Sequence, residues 1–257
     1  KVIADYIDKN RKLIMMAPTG RAARVLAMKT GHKAVTIHKA IYAKAHVEPK
    51  KVKDVAESEF KFVFPINQSE NGGNIVAIVD EASMVCSRKI EHELFMFGTD
   101  NLMKDLLTFV RPNFGGKVIF VGDPAQLPPV GESMSNALRA EYFQEQGLKV
   151  IEAELTEVLR QKGDSVILKN AMMIRDLLKK DKRNQLVFEE QKDDVEIVPS
   201  EQFLNKYLNY RKVSGRHDSV IICFSNKSAN RYNRDIRKAL YGGEVPLRKN
   251  DILLITQ

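Results

Sequence analysis

The chain has 257 residues, enough for one large domain or two of moderate size, and its 44% hydrophobic and 29% charged content excludes wholesale disorder. No apolar run approaches the roughly 20 residues that cross a bilayer, and the lysine-rich start lacks the apolar segment of a signal peptide, so a cytoplasmic protein with no membrane partner is expected. Cys86 and Cys223 stand apart and the 5 histidines lack metal-ligand spacing, which argues against a disulfide framework or a zinc site, while the net charge of +8 is compatible with a polyanionic partner.

The opening residues, Lys1 to Lys9, pattern as a helix, and because the first residue is lysine rather than methionine the natural start is expected to lie upstream. An apolar strand follows from Leu13 to Ala17, halted by Pro18-Thr-Gly20, and a helical pattern resumes from Arg21 to Met28. Between Lys9 and Lys44 there is no Asp or Glu, whereas Arg11, Lys12, Arg21, Arg24, Lys29, Lys33 and Lys39 all fall inside. Such a stretch attracts phosphates and reads either as a nucleic-acid track or as a solvated basic face.

From Tyr42 to Asn74 the periodicity breaks down, which predicts an inserted subdomain built on a small hairpin, with Phe60, Phe62 and Phe64 at alternate positions. Ile75–Val79 and Lys117–Val121 are continuous apolar runs separated by helical stretches, the pattern of buried parallel strands in an α/β sheet whose crevice lies at the carboxyl ends. Past Val150 the pattern changes. Helices are expected from Ser165 to Lys180, around Gln202 to Lys212 and from Lys227 to Leu240, with a buried strand at Ser219–Phe224 and another starting at Asp251. The domains are accordingly placed at 1–150, with the insert at about 42–74, and at 151–257.

The chemistry concentrates at two strand ends. Ile75–Val79 delivers the adjacent carboxylates of Asp80 and Glu81; one suits Mg²⁺, and its neighbour can polarise the water that attacks a γ-phosphate. An isolated Asp-Glu pair is commonly a solvated turn. The second strand ends in Gly122-Asp-Pro-Ala-Gln126, and a glutamine amide, both donor and acceptor, suits a sensor of phosphate and water.

With these strings on the page the chain resembles a known family, the superfamily 1 DNA helicases of the 5′-to-3′ branch, that is, the RecD-like, Dda-like and exonuclease V alpha-like enzymes. The matching segments are Ala17-Pro-Thr-Gly-Arg-Ala-Ala23, Thr36-Ile-His38, Val79-Asp-Glu-Ala-Ser83, Gly122-Asp-Pro-Ala-Gln-Leu-Pro-Pro-Val130 and Leu155-Thr-Glu-Val-Leu-Arg-Gln161. The resemblance implies a RecA-like α/β motor domain with a pin-like insert, part of a second RecA-like domain, and the cofactors ATP and Mg²⁺. It implies that Asp80 holds the metal, Glu81 is the general base, Gln126 links nucleotide state to DNA grip and Arg160 is an arginine finger. Pro18, Thr19, Arg21, Thr36 and His38 would line the single-strand channel, joined by Asn226 and Lys227 from the second domain. The implied partners are single-stranded DNA at a fork or tailed duplex and other subunits of a DNA-processing complex, in repair or recombination.

One departure matters. No GxxxxGK[ST] string occurs in the chain, and the look-alike Gly115-Gly-Lys117-Val118 leads into a strand and follows the acid pair. The phosphate loop is expected upstream of Lys1 and the last family motifs beyond Gln257, so this chain is expected not to hydrolyse ATP by itself. A non-hydrolysing single-strand binding module is the alternative. An oligomeric AAA-type ATPase would share the acid strand but is not expected to carry the Ala17–Ala23 or Gly122–Val130 strings.

Overall fold

Strand β1 (Lys12–Ala17) becomes more deeply buried toward its carboxyl end and runs into helix α1 (Gly20–Thr30). Thr19 caps α1, its hydroxyl accepting from the Ala22 amide, and Gly31 closes the helix in the left-handed conformation that glycine adopts without steric cost. The chain then forms β2 (Ala34–Thr36) and the short helix α2 (Ile37–Ile41). This is a computed structural model, and it describes residues 11–49, 60–67, 74–155, 165–180, 185–214, 219–243 and 246–248. The helix expected at Lys1–Lys9, Arg160 and the strand expected from Asp251 lie outside the described residues.

The central sheet is parallel, in the order β2-β1-β5-β7, with β5 at Ile75–Val79 and β7 at Lys117–Phe120. All residues of β5 are buried, and because alternate side chains point to opposite faces, the sheet is covered on both sides at its centre. Each of its larger aliphatic side chains contributes about 1.5–3 kcal/mol of burial. Helix α3 (Leu102–Val110) packs Met103, Leu106 and Val110 into the same core as Met16, Ile37 and Val79. This is a RecA-like α/β fold: the continuous apolar runs predict its parallel sheet, and the resemblance implies its RecA-like class.

The insert contains the expected hairpin, an antiparallel pair of β3 (His46–Pro49) and β4 (Phe60–Phe64). It also recruits a strand from beyond the expected boundary: β6 (Phe95–Phe97) pairs parallel to β4, aligning Phe62 with Phe95 and Phe64 with Phe97. Both aligned pairs stack, at ring-centroid distances of 5.8 Å and 4.6 Å. The base of the insert is tied off where the Ala43 amide donates to Pro65 O and the Asn67 amide to Ile41 O.

Contacts divide the chain into two compact units, Lys1–Glu157 and Val158–Gln257. The second contains the helices α5 (Val166–Lys179), α6 (Ser200–Ser214) and α7 (Asn226–Tyr241), while the short α4 (Ala140–Gln144) belongs to the first. Phe203 of α6 meets Tyr232 of α7 edge to face at 5.7 Å. The expectation of a buried strand at Ser219–Phe224 is corrected: these residues form no strand, and Val220, Ile222 and Phe224 are 80%, 91% and 106% exposed. The reason is that an apolar run becomes a buried strand only when a neighbour pairs its backbone and covers its face, and no described segment does so here. Among the described residues no helix is long and apolar enough to cross a membrane.

Candidate functional site

The strand register gathers the sequence motifs along one edge. Ala17 aligns with Thr36, Met16 with Val79, and Val79 with Phe120. The segments beginning at Pro18, Thr36, Asp80 and Gly122 therefore leave the sheet side by side, on strands about 4.8 Å apart. In open α/β sheets this carboxyl edge is where ligands bind.

At the centre of the edge the Asp80 amide donates to Met16 O at 2.9 Å, and Asp80 Oδ1 accepts from the Glu81 amide at 3.0 Å. Glu81 adopts the left-handed conformation, φ 54° and ψ 41°, which costs a non-glycine residue on the order of 1 kcal/mol. The turn has a visible product. Just after it the Ala82 amide donates to Val121 O at 2.9 Å and Ala82 and Ser83 are buried, while Asp80 and Glu81 stay half-buried at the edge. Among the described residues no group of three or more His, Cys, Asp or Glu could cage a metal. A paired carboxylate at a strand end fits Mg²⁺ instead, which keeps most of its ligands as water and phosphate.

The next strand end packs closely against this turn. A Cβ added to Gly122 would lie 2.9 Å from the Ser83 nitrogen and 3.0 Å from that of Ala82, so glycine is required for the two segments to touch. Beyond it Asp123 forms a local turn, Oδ1 accepting from the Ala125 amide and the backbone carbonyl from that of Gln126, each at 3.0 Å. Gln126 is exposed and lines a shallow cleft with Ser83, Met84, Ala125 and Leu127. Ser83 is 3% exposed, and its Oγ has no hydrogen-bond partner among the described residues. Sequence reasoning passed over Ser83, since a serine after an acid pair carries no periodic signal of burial.

The flanking residues take up structural tasks as well. Thr19 and Thr36 both cap helices, their hydroxyls accepting at 3.2 Å from the Ala22 and Lys39 amides. Neither helix has an acidic residue in its first turn, and Thr19, Arg21 and Lys39 are exposed beside half-buried Pro18. His38 packs its ring against Tyr42 and Phe97, at 5.6 Å and 5.3 Å, while retaining an exposed edge. Burial, and then His92, lower its pKa from the usual histidine value against the opposing pull of Asp105. Tyr42 donates to the fully buried Asp105 at 2.7 Å, and the Thr99 hydroxyl donates to the same carboxylate, also at 2.7 Å. Burial and then that bond raise the Tyr42 pKa well above the usual tyrosine range. Asn226 and Lys227 are exposed in the first turn of α7, in the other unit.

Comparison with known proteins identifies a family for the chain. Residues 1–199 match the AAA domain family. The chain is 30% identical over 172 residues to the ATP-dependent RecD2 DNA helicase of Deinococcus radiodurans, an alignment covering 66% of this chain and 19% of that protein. The chain thus spans about a fifth of the length of the curated relative it matches. The AAA match runs through both the Ala17–Ala23 and Gly122–Val130 strings. The chain belongs to the AAA domain family, and the group it resembles within it is that of the superfamily 1 RecD-like helicases.

Proposed function

We propose that this protein is an ATP-dependent DNA helicase or translocase, moving 5′ to 3′ on single-stranded DNA with Mg²⁺ as its metal. The observation that carries the reading is the shared carboxyl edge, where the Asp80–Glu81 turn and the Gln126 loop interlock beside the basic segments that start at Pro18 and Thr36. Asp80 would hold the metal, Glu81 would take the proton of the attacking water, and Gln126 would report the nucleotide state to the DNA side. Bound ATP and Mg²⁺ would supply the phosphoryl chemistry. Arg160 would contribute a bidentate cation to the developing charge. Pro18, Thr19, Arg21, Thr36, His38, Asn226 and Lys227 would contact the strand without reading its sequence.

The proposal extends to the architecture: a first RecA-like domain at 1–150 with a pin-like insert at about 42–74, and part of a second RecA-like domain at 151–257. Phe60, 54% exposed, would be the aromatic available to a separating strand, because Phe62 and Phe64 stack on β6. A cytoplasmic setting within a DNA-processing complex for repair or recombination is part of the same reading.

The test is turnover in the full-length protein, since the chain itself holds no GxxxxGK[ST] string. Glu81→Gln should lower DNA-stimulated kcat by about 10²- to 10⁴-fold while leaving nucleotide affinity nearly unchanged. Arg160→Ala should weaken ATP more than ADP as turnover falls. Near-normal turnover in Glu81→Gln would remove Glu81 as the base. Tight strand binding with no turnover in the wild type would make the protein a binding module instead.

A further inference from the structure

The loop that carries Gln126 is anchored at both ends to the segment that carries the acid pair. The near anchor is the Gly122 contact and the bond from the Ala82 amide to Val121 O. The far anchor is Glu132, which the sequence motifs do not single out. Its Oε1 accepts from the Ser87 amide at 2.9 Å, the Arg88 amide at 3.2 Å and Cys86 Sγ at 2.9 Å, and its Oε2 accepts from the Ser87 hydroxyl at 3.1 Å. Neighbouring bonds run between the same two segments: Asn136 Nδ2 donates to Ser87 Oγ at 2.7 Å, Ser135 Oγ donates to Val85 O at 2.6 Å, and the Arg88 guanidinium donates to Gly131 O. Asn101, the cap of α3, donates to Ser87 O at 2.7 Å and fixes the donor segment to that helix.

We infer that Glu132 is a positioning residue for Gln126, clamping the far end of its loop to residues 86–88 so that the amide and the Asp80–Glu81 pair move as one body. Four donors converge on one carboxylate, and only an ionised carboxylate offers enough lone pairs for all of them. Burial pushes the Glu132 carboxyl up, but the bonds from Cys86, Ser87 and Arg88 outweigh it and hold the group below the usual glutamate value. The clamp is therefore set at neutral pH. A sensor amide must report a change of well under an ångström to be useful, and a loop tethered at one end only would absorb that displacement. The structural part of the inference stands on the hydrogen bonds alone; its effect on turnover rests on the proposed ATPase reading.

Hydrogen exchange in the 257-residue chain and kinetics in the full-length protein test the two parts separately. Glu132→Gln preserves size but offers one acceptor oxygen and places an NH₂ group among donors. It should speed exchange about tenfold in both 83–88 and 124–131 and leave β5 unchanged. In the full-length protein it should lower kcat about tenfold with KM for ATP unchanged, and Glu132→Asp, which restores the charge, should recover part of the loss. Glu141→Gln, on the exposed face of α4, should change neither readout. Opening of 83–88 with 124–131 still protected would overturn the clamp, and opening of both with kcat intact would overturn the positioning role. If Glu132→Gln also exposes β5, the chain is unfolding, and the milder Glu132→Asp decides by the same two segments. A wild-type protein with no ATP turnover would sink the ATPase reading, while the exchange result would still decide the clamp.

Discussion

Ser83 stores a small debt of stability at the edge of the sheet. Its hydroxyl is buried without a partner among the described residues, and leaving such a group unsatisfied costs about 1–3 kcal/mol, so Ser83→Ala should stabilise the first unit by about 1 kcal/mol. Urea unfolding in the absence of nucleotide measures this, and a clear loss of stability would mean that the hydroxyl has a partner in solution. His38 makes a second residue-level prediction. Its pKa in the folded state is lowered, so the unfolded chain binds the proton more readily; the contribution to stability is full above about pH 6.5 and declines as pH falls through the folded value. His92 and Asp105 act on the same ring with opposite sign. His38→Phe keeps the packing against Tyr42 and Phe97 and should flatten Tm against pH below about 6.5. An unchanged slope would show that another group governs this range.

Among the elements, the contact between the β5 and β7 termini is the most demanding. Gly122→Ala drives a methyl into the Ala82 and Ser83 backbone, which cannot swing aside as a flexible side chain would, and should cost about 1–3 kcal/mol. Gly20→Ala is the matched control, because nothing lies within 4 Å of its added Cβ and alanine favours the helix it begins. Equal unfolding midpoints for the two variants would contradict the close approach. The small sheet shows where local pattern stops being informative. Alternating phenylalanines announce β4, but β6 is three residues long and is recruited across the whole of β5, so its partner is set by tertiary pairing rather than by period. The Ser219–Phe224 run fails for the opposite reason: its composition suits a strand, yet no described neighbour pairs it.

For the whole molecule, Arg21 and Lys39 are exposed in the segments that leave the carboxyl edge, and with a net charge of +8 they predict weak, sequence-independent binding of single-stranded DNA. Fluorescence anisotropy with a labelled oligonucleotide should show log K falling with log salt by about 0.7 for each phosphate neutralised, and Arg21→Ala with Lys39→Ala should make that slope shallower. Binding that ignores salt would exclude the basic track. The sequence by itself determined the strand runs of the central sheet at Leu13–Ala17, Ile75–Val79 and Lys117–Phe120, the acid pair, the Gly-Asp-Pro-Ala-Gln string and the acid-free stretch, because each is written in neighbouring residues and in the short periods of strand and helix. Thr19 and Thr36, which the resemblance alone assigns to a strand channel, cap the helices that begin beside them. Only the tertiary structure decided that Glu81 turns left-handed, that Ser83 is buried with no partner among the described residues, and that Glu132 reaches back 45 residues to the Ser87 amide. These features depend on which backbones the fold brings into contact, and no local pattern of hydrophobicity or charge encodes a contact over that separation.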